Sequence, residues 1–97
     1  MSKITANYET MYIINPTIDA EATAAIVEKF KAIVATNGTV TEVNEWGKRR
    51  LAYEIDDLMD GYYVLMTFNA APEIPAELDR VFRITEHIMR SMTICKD

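Results

Sequence analysis

The stretch that decides the fold reads Tyr8-Glu9-Thr10-Met11-Tyr12-Ile13-Ile14-Asn15-Pro16. Its β-branched and aromatic residues predict a strand, and the closing Asn-Pro pair is typical of a turn. Successive side chains of a strand point to opposite faces, so this strand carries two sets of residues. We expect the heavier set to face the core; its members are Tyr8, Thr10, Tyr12 and Ile14.

A helix and a long strand are predicted next. Asp19 can cap the helix, and Asn37-Gly38 can end it. The residues that recur at the spacing of one helical face are Ala22, Ile26, Phe30, Ile33 and Val34. Residues 39–55 are again typical of a strand, in which Gly47 interrupts the alternation and predicts a bulge or bend.

The second half of the sequence repeats this pattern. A polar turn over residues 56–61 leads into the apolar strand 62–68, which predicts an antiparallel hairpin. Pro75 fits the first turn of a second helix, whose apolar face holds Leu78, Val81 and Phe82. Residues 88–95 alternate in polarity and predict a last strand.

The order strand, helix, strand, strand, helix, strand predicts an α+β, ferredoxin-like split βαβ domain over residues 1–97. Right-handed crossovers place both helices on one face of a four-stranded antiparallel sheet. The other face then carries apolar residues, which predict a docking surface for a protein partner: Met11, Ile13, Tyr63 and Leu65. Scattered surface hydrophobic residues, which are normal on monomers, are the alternative interpretation.

Charge argues against a protein that binds nucleic acid unaided. Ten Lys and Arg residues against fifteen Asp and Glu residues give a net charge of −5. A local basic patch is nevertheless present at Lys48-Arg49-Arg50, and Arg83 and Arg90 belong to a looser second group. We predict that these five residues contact RNA phosphates; a solvated run of charges is the alternative for the first three.

No motif predicts catalysis, a metal site, a cofactor or a small-molecule substrate. Cys95 is the single cysteine, and His87, the single histidine, has no Ser or Cys at a spacing that suggests a catalytic triad. The acidic residues of the 56–61 turn do not follow the calcium-loop pattern. The sequence begins without a secretory signal and has no apolar run of membrane-spanning length, so a location in the cytoplasm is expected.

Residues 61–68 partly match the signature of the RNA-recognition motif, in which aromatic residues of the third strand stack on bases. The strand phase leaves only Tyr63 as an aromatic residue on the open face. Contacts with the core and with a partner explain these residues better.

The sequence resembles the bacterial small-subunit ribosomal protein S6 family from about residue 8 to about residue 95. The similar segments are Tyr8-Glu9, Asn15-Pro16, Trp46-Gly47-Lys48-Arg49-Arg50-Leu51-Ala52-Tyr53-Glu54-Ile55, Gly61-Tyr62-Tyr63-Val64-Leu65-Met66 and Arg90-Ser91-Met92. The resemblance implies a structural role in the small subunit of the cytoplasmic ribosome. It also implies binding to the central domain of 16S ribosomal RNA together with ribosomal protein S18. A basic partner would explain how an acidic chain joins an RNA complex.

Two other functions compete with this one. A ferredoxin-like domain could use the open sheet face to form a homo-oligomer or to sense a ligand. A small enzyme such as an acylphosphatase has the same order of elements but needs a phosphate-binding loop after the first strand. Residues 15–18, Asn-Pro-Thr-Ile, offer neither glycine nor arginine for such a loop.

Overall fold

The structure, a computed structural model, describes residues 5–55 and 58–96, without the side chains of residues 52–55, 58 and 59. Its elements are β1 (Ala6–Ile14), α1 (Ala20–Ala35), β2 (Gly38–Ile55), β3 (Leu58–Ala70), α2 (Glu73–Ile84) and β4 (Ile88–Cys95). The strands lie in the order β2-β3-β1-β4, and every neighbouring pair is antiparallel. The predicted ferredoxin-like fold is therefore confirmed.

The core lies between the two helices and one face of the sheet. The predicted alternation of β1 and β3 is confirmed, because the heavier set of each strand is buried in the core or packs against it. These residues are Tyr8, Thr10, Tyr12 and Ile14 of β1 and Tyr62, Val64, Met66 and Phe68 of β3. Three aromatic rings form its centre: Phe30 of α1 and Phe82 of α2 lie 4.1 Å apart, and Tyr12 lies 5.0–5.2 Å from both. Aromatic side chains bury large areas, so these three rings contribute strongly to the stability of a domain this small.

The buried face of α1 differs from the predicted one. Phe30 and Val34 are buried as expected, but Thr23 and Val27 are also buried. The other residues assigned to that face, Ala22, Ile26 and Ile33, are only partly buried. Thr23 can enter the core because its hydroxyl donates a hydrogen bond to the Asp19 carbonyl oxygen at 3.0 Å, which removes the cost of an unpaired polar group.

The ends of α1 combine one confirmed prediction with one correction. Asp19 caps the first turn, since its carboxylate accepts a hydrogen bond from the Ala22 amide at 2.8 Å. The helix ends at Ala35 with Thr36 as its C-cap, and Gly38 begins β2. A Cβ at Gly38 would lie 2.5 Å from the Asn69 carbonyl oxygen, so close packing of the strands requires glycine there.

The β2–β3 hairpin projects beyond the rest of the sheet. β3 begins at Leu58, before the predicted start at residue 62, because residues 58–61 continue the ladder with β2. β1 pairs with β3 only as far as Tyr62, so the hairpin continues without a third strand. This arm gives the molecule dimensions of 49 × 25 × 22 Å. The predicted acidic turn at Asp56-Asp57 lies outside the described residues.

A small apolar contact fixes the base of this arm on the open face of the sheet. Ile13 is only 7% exposed and Leu51 only 6% exposed, and both lie against Gly61. A Cβ at Gly61 would overlap the Cγ2 methyl of Ile13. The glycine therefore allows the two aliphatic side chains to close over the strand.

The Tyr12 side chain provides a test of core energetics. It is 1% exposed, and its hydroxyl has no hydrogen-bond partner among the described residues. An unpaired buried hydroxyl costs about 1–3 kcal/mol, so Tyr12→Phe is expected to leave the free energy of unfolding unchanged or raise it by up to about 1 kcal/mol. Urea melts at neutral pH would measure this, and a loss above about 1 kcal/mol would show that the hydroxyl has a stabilising partner.

The Tyr12→Phe variant is also expected to change how the free energy of unfolding depends on alkaline pH. Burial, followed by the nearby Glu45 and Glu28 carboxylates, raises the Tyr12 pKa in the folded state above its ordinary value. The unfolded state then loses its proton first, so the Tyr12 contribution to stability declines as the pH rises above about 10. Tyr12→Phe is expected to show a smaller alkaline loss than the parent chain.

Candidate RNA and partner interface

The strongest concentration of exposed positive charge lies on the projecting hairpin. Lys48, Arg49 and Arg50 pair across the ladder with Tyr62, Gly61 and Asp60 and are all exposed. Among the side chains that the structure describes, no carboxylate lies within 4.0 Å of these three cations. We call residues 48–50 and their partners on β3 the basic arm. Alternation directs Arg49 to the open-face side and its two neighbours to the helix side, so the arm presents cations on both sides.

The other two cations predicted to bind RNA lie elsewhere. Arg83 is on α2, where its guanidinium pairs with the Asp79 carboxylate at 2.9 Å. Arg90 is exposed on β4, opposite Ile13. The structure therefore does not gather the five predicted residues into one patch, and the Asp79 carboxylate balances the charge of Arg83.

An apolar surface covers the sheet face that carries no helix. Met11, Tyr63 and Leu65 are half-buried on this face, as their strand phase predicts. Ile13 contributes little to it because its side chain is already packed within the domain. Two residues of β4 that lie on the same face are each more exposed than any of the predicted four: Met92 is 62% exposed and Ile94 is 46% exposed.

Sequence reasoning did not assign the β4 residues to this surface. The available signal was the alternation of Met92 and Ile94 with the small polar residues Ser91 and Thr93. On the helix side, Thr93 and Thr10 share a hydrogen bond of 2.8 Å between their hydroxyl oxygens, so polar residues of β4 lie inward. We define the open apolar face as Met11, Tyr63, Leu65, Met92 and Ile94.

Trp46 connects the basic arm with the open apolar face. The predicted irregularity near Gly47 is confirmed as a register shift between Glu45 and Gly47, and Trp46 is the extra residue. Gly47 adopts a φ of 80°, which favours glycine. The Trp46 ring is 41% exposed and lies nearly parallel to Tyr63, with centroids 6.3 Å apart and planes inclined by 9°.

Two shallow cavities flank these surfaces. One, of about 230 Å³, lies on the open face and is lined by Met11, Ile13, Arg90, Ser91 and Met92. The other, of about 360 Å³, lies on the helix side, where the Tyr62 hydroxyl donates a hydrogen bond to the Glu45 carboxylate at 2.9 Å. Within the described part of the chain, no helix is both long and apolar enough to cross a membrane.

Comparison with known proteins decides the family. The family described as Ribosomal protein S6 matches residues 7–95. The chain belongs to the ribosomal protein S6 family. It is accordingly a component of the small subunit of the cytoplasmic ribosome and not an enzyme, which confirms what the sequence resemblance implied.

Relatives within the S6 family are similar over nearly their whole length. The chain is 54% identical over 89 residues to small ribosomal subunit protein bS6 of Clostridium novyi (strain NT), covering 91% of this chain and 94% of that protein. It is 53% identical over 91 residues to the protein of the same name from Clostridium botulinum (strain Hall), covering 93% and 97%. The crystal structure of 30S ribosomal protein S6 from Thermotoga maritima is similar with a TM-score of 0.90 at 30% identity, covering 96% of this chain and 89% of that one.

Proposed function

We propose that the chain binds the central domain of 16S ribosomal RNA together with ribosomal protein S18. The basic arm contacts RNA phosphates, and the open apolar face packs against S18. The observation that carries this proposal is the arm itself: Lys48, Arg49 and Arg50 stay exposed without a carboxylate partner among the described side chains of an otherwise acidic chain.

The distribution of charge supports a local RNA contact. The chain has a net charge of −5, so its overall field repels phosphate. On α2, Arg80 and Arg83 each form an ion pair with a carboxylate one turn earlier in the helix, at 2.5 and 2.9 Å. Residues 48–50 lie on β2 and form no such ion pair with a described carboxylate, so their charges are not already balanced by a close partner when a phosphate approaches. Arg83 and Arg90 are proposed as secondary RNA contacts.

A protein partner completes the site in this proposal. The open apolar face would lose its contact with water against S18, which favours association. A second chain bound there would join the same RNA complex, and a basic partner would add phosphate contacts that this chain lacks. Binding to RNA and binding to S18 are then expected to be cooperative, because each complex orients the surface that the other needs.

The proposal predicts a salt-dependent loss of RNA affinity in the triple variant Lys48→Gln, Arg49→Gln, Arg50→Gln. Each lost phosphate contact removes about 0.7–0.9 from the slope of log affinity against log salt concentration. Three contacts correspond to a slope lower by about 2–3 and to roughly 100-fold weaker binding near 0.15 M salt. Titration of the complex with S18 against a labelled central-domain RNA fragment, at several salt concentrations, measures both quantities.

A matched control removes the same number of charges elsewhere. Lys29→Gln, Lys31→Gln and Arg80→Gln lie on the two helices, where all three side chains already have polar partners. This control is expected to keep the parent slope and to bind within about 3-fold of the parent, since exposed ion pairs contribute little. Equal slopes for the arm variant and the parent chain would remove the basic arm from the RNA site.

A further inference from the structure

The bulge in β2 creates an aromatic surface that the strand phase alone does not predict. Tyr63 is the aromatic residue on the open face of β3, and the extra residue of the bulge brings Trp46 beside it. The two rings are inclined by only 9°. The open side of the sheet therefore carries two nearly parallel aromatic planes at the base of the basic arm.

The Trp46 ring is available to a ligand. It is 41% exposed, although tryptophan is usually well buried in a folded domain. Its neighbour Gly47 has no side chain, and a Cβ placed there would have no atom within 4 Å apart from those of its chain neighbours, so the backbone next to Trp46 is open. Tyr63 supports the ring from within the sheet, which limits the rotamer entropy that a stacking ligand would remove.

We propose that Trp46 is a stacking platform for an unpaired nucleobase, with Arg49 holding the adjoining phosphate. This inference rests on the proposed binding of RNA by the basic arm and deepens it. Arg49 lies on the same side of the ribbon as Trp46, three residues further along β2, and single-stranded nucleic acid is commonly bound by such a combination of an aromatic plane and a cation. A base inside a duplex has both faces covered by its stacked neighbours and would not expose a face to the ring.

The unpaired base is favoured over an apolar side chain of a protein partner because of what surrounds the ring. Charge complementarity brings phosphates, and hence bases, to this end of the sheet. Arg49 and Lys48 stand within three residues of Trp46, whereas the most exposed apolar residues, Met92 and Ile94, lie on β4 at the opposite edge of the sheet. The protein partner has its own surface there.

The test uses the fact that Trp46 is the only tryptophan of the chain. Chain labelled with 5-fluorotryptophan gives a single fluorine resonance, which is followed in the complex with unlabelled S18 before and after addition of a central-domain RNA fragment. Stacking of a base is expected to shift this resonance upfield when RNA is added, with little change when S18 alone is added. RNA affinity is measured on the same samples.

Two substitutions separate stacking from simple apolar contact. Trp46→Leu is expected to weaken RNA binding about 5- to 150-fold, the range found for loss of one stacked base. Trp46→Phe keeps an aromatic plane and is expected to bind within about 3-fold of the parent chain. Since the ring is exposed, circular-dichroism melts of both variants are expected to stay close to that of the parent chain.

Three outcomes overturn the proposal, and they can be told apart. A resonance that shifts fully with S18 alone and not further with RNA places a protein contact at Trp46. RNA that binds tightly without shifting the resonance, and equally to the Leu variant, removes the stacked base while leaving the basic arm in place. RNA that does not bind the parent complex at all contradicts the proposed function itself.

Discussion

Phe30→Ala and Phe82→Ala are each expected to lower the free energy of unfolding by about 3–5 kcal/mol. The two rings come from different helices and meet with centroids 4.1 Å apart, and both contact Tyr12 of the sheet. Phe30 has no exposed surface and Phe82 is 3% exposed. Removal of either ring therefore loses the transfer free energy of an aromatic side chain. It also leaves a cavity between α1, α2 and the sheet, which these elements cannot fully fill by moving together. Urea denaturation followed by circular dichroism measures the effect.

A matched control comes from the end of α2. Ile84 is 69% exposed, so Ile84→Ala is expected to change the free energy of unfolding by less than about 0.5 kcal/mol. The double variant Phe30→Ala, Phe82→Ala is expected to lose less than the sum of the single losses, because the two rings contact each other. A single loss below about 1 kcal/mol at Phe30 would mean that the helix does not pack on the sheet as described.

The strand phases could be predicted from sequence because they depend only on a period of two. Tyr12 and Val64 belong to the heavier sets of their strands, and both are buried under the helices. The prediction of the buried face of α1 was less accurate. Thr23 is buried because its hydroxyl forms a hydrogen bond within its own helix, which a hydrophobicity pattern does not reveal. The extension of the hairpin was missed because pairing between strands overrode the turn-forming residues 58–61.

The composition of the candidate site was harder to predict than the fold. Lys48, Arg49 and Arg50 were visible as a charge run, but their lack of carboxylate partners among the described residues depends on where the hairpin projects. A bulge or bend was predicted at Gly47, yet the contact between Trp46 and Tyr63 could be seen only once the register of the bulge was known. Residues that meet across strands are set by long-range pairing, which a single sequence constrains weakly.

The edge strand β4 is another element whose core-facing residues could not be predicted from the sequence alone. Its larger side chains lie away from the helices, opposite to the arrangement in β1 and β3, because Thr93 satisfies its hydroxyl against Thr10 in the helix-side layer. An alternating strand reveals two sets, but polarity alone does not say which set faces the core when both faces of the sheet are apolar. The consequence is a row of exposed apolar side chains, Met92 and Ile94, at the edge of the sheet.

The double variant Met92→Asp, Ile94→Lys is expected to weaken capture of S18 more than about 1,000-fold. Both side chains are more than two-fifths exposed in the free chain, at 62% and 46%, so charges there remain hydrated and the free domain should stay folded. In the proposed complex the same charges would be buried against an apolar partner, at a cost of several kcal/mol for each unpaired charge. One acidic and one basic substitution leave the net charge unchanged, so long-range attraction to RNA is preserved. Calorimetric titration with purified S18 measures the loss.

A second pair of charges, placed away from the open apolar face, separates loss of the interface from general damage. Ala20→Asp and Ile84→Lys put an acidic group at the start of α1 and a basic group at the end of α2, where the helix dipoles favour them, and both positions are exposed. This control is expected to bind S18 like the parent chain. Normal S18 binding by the Met92 and Ile94 variant would move the interface to another surface. Sedimentation of the parent chain alone tests whether a second copy of the chain covers this face instead. A parent dimer that the Met92 and Ile94 substitutions dissociate would make a second copy the occupant.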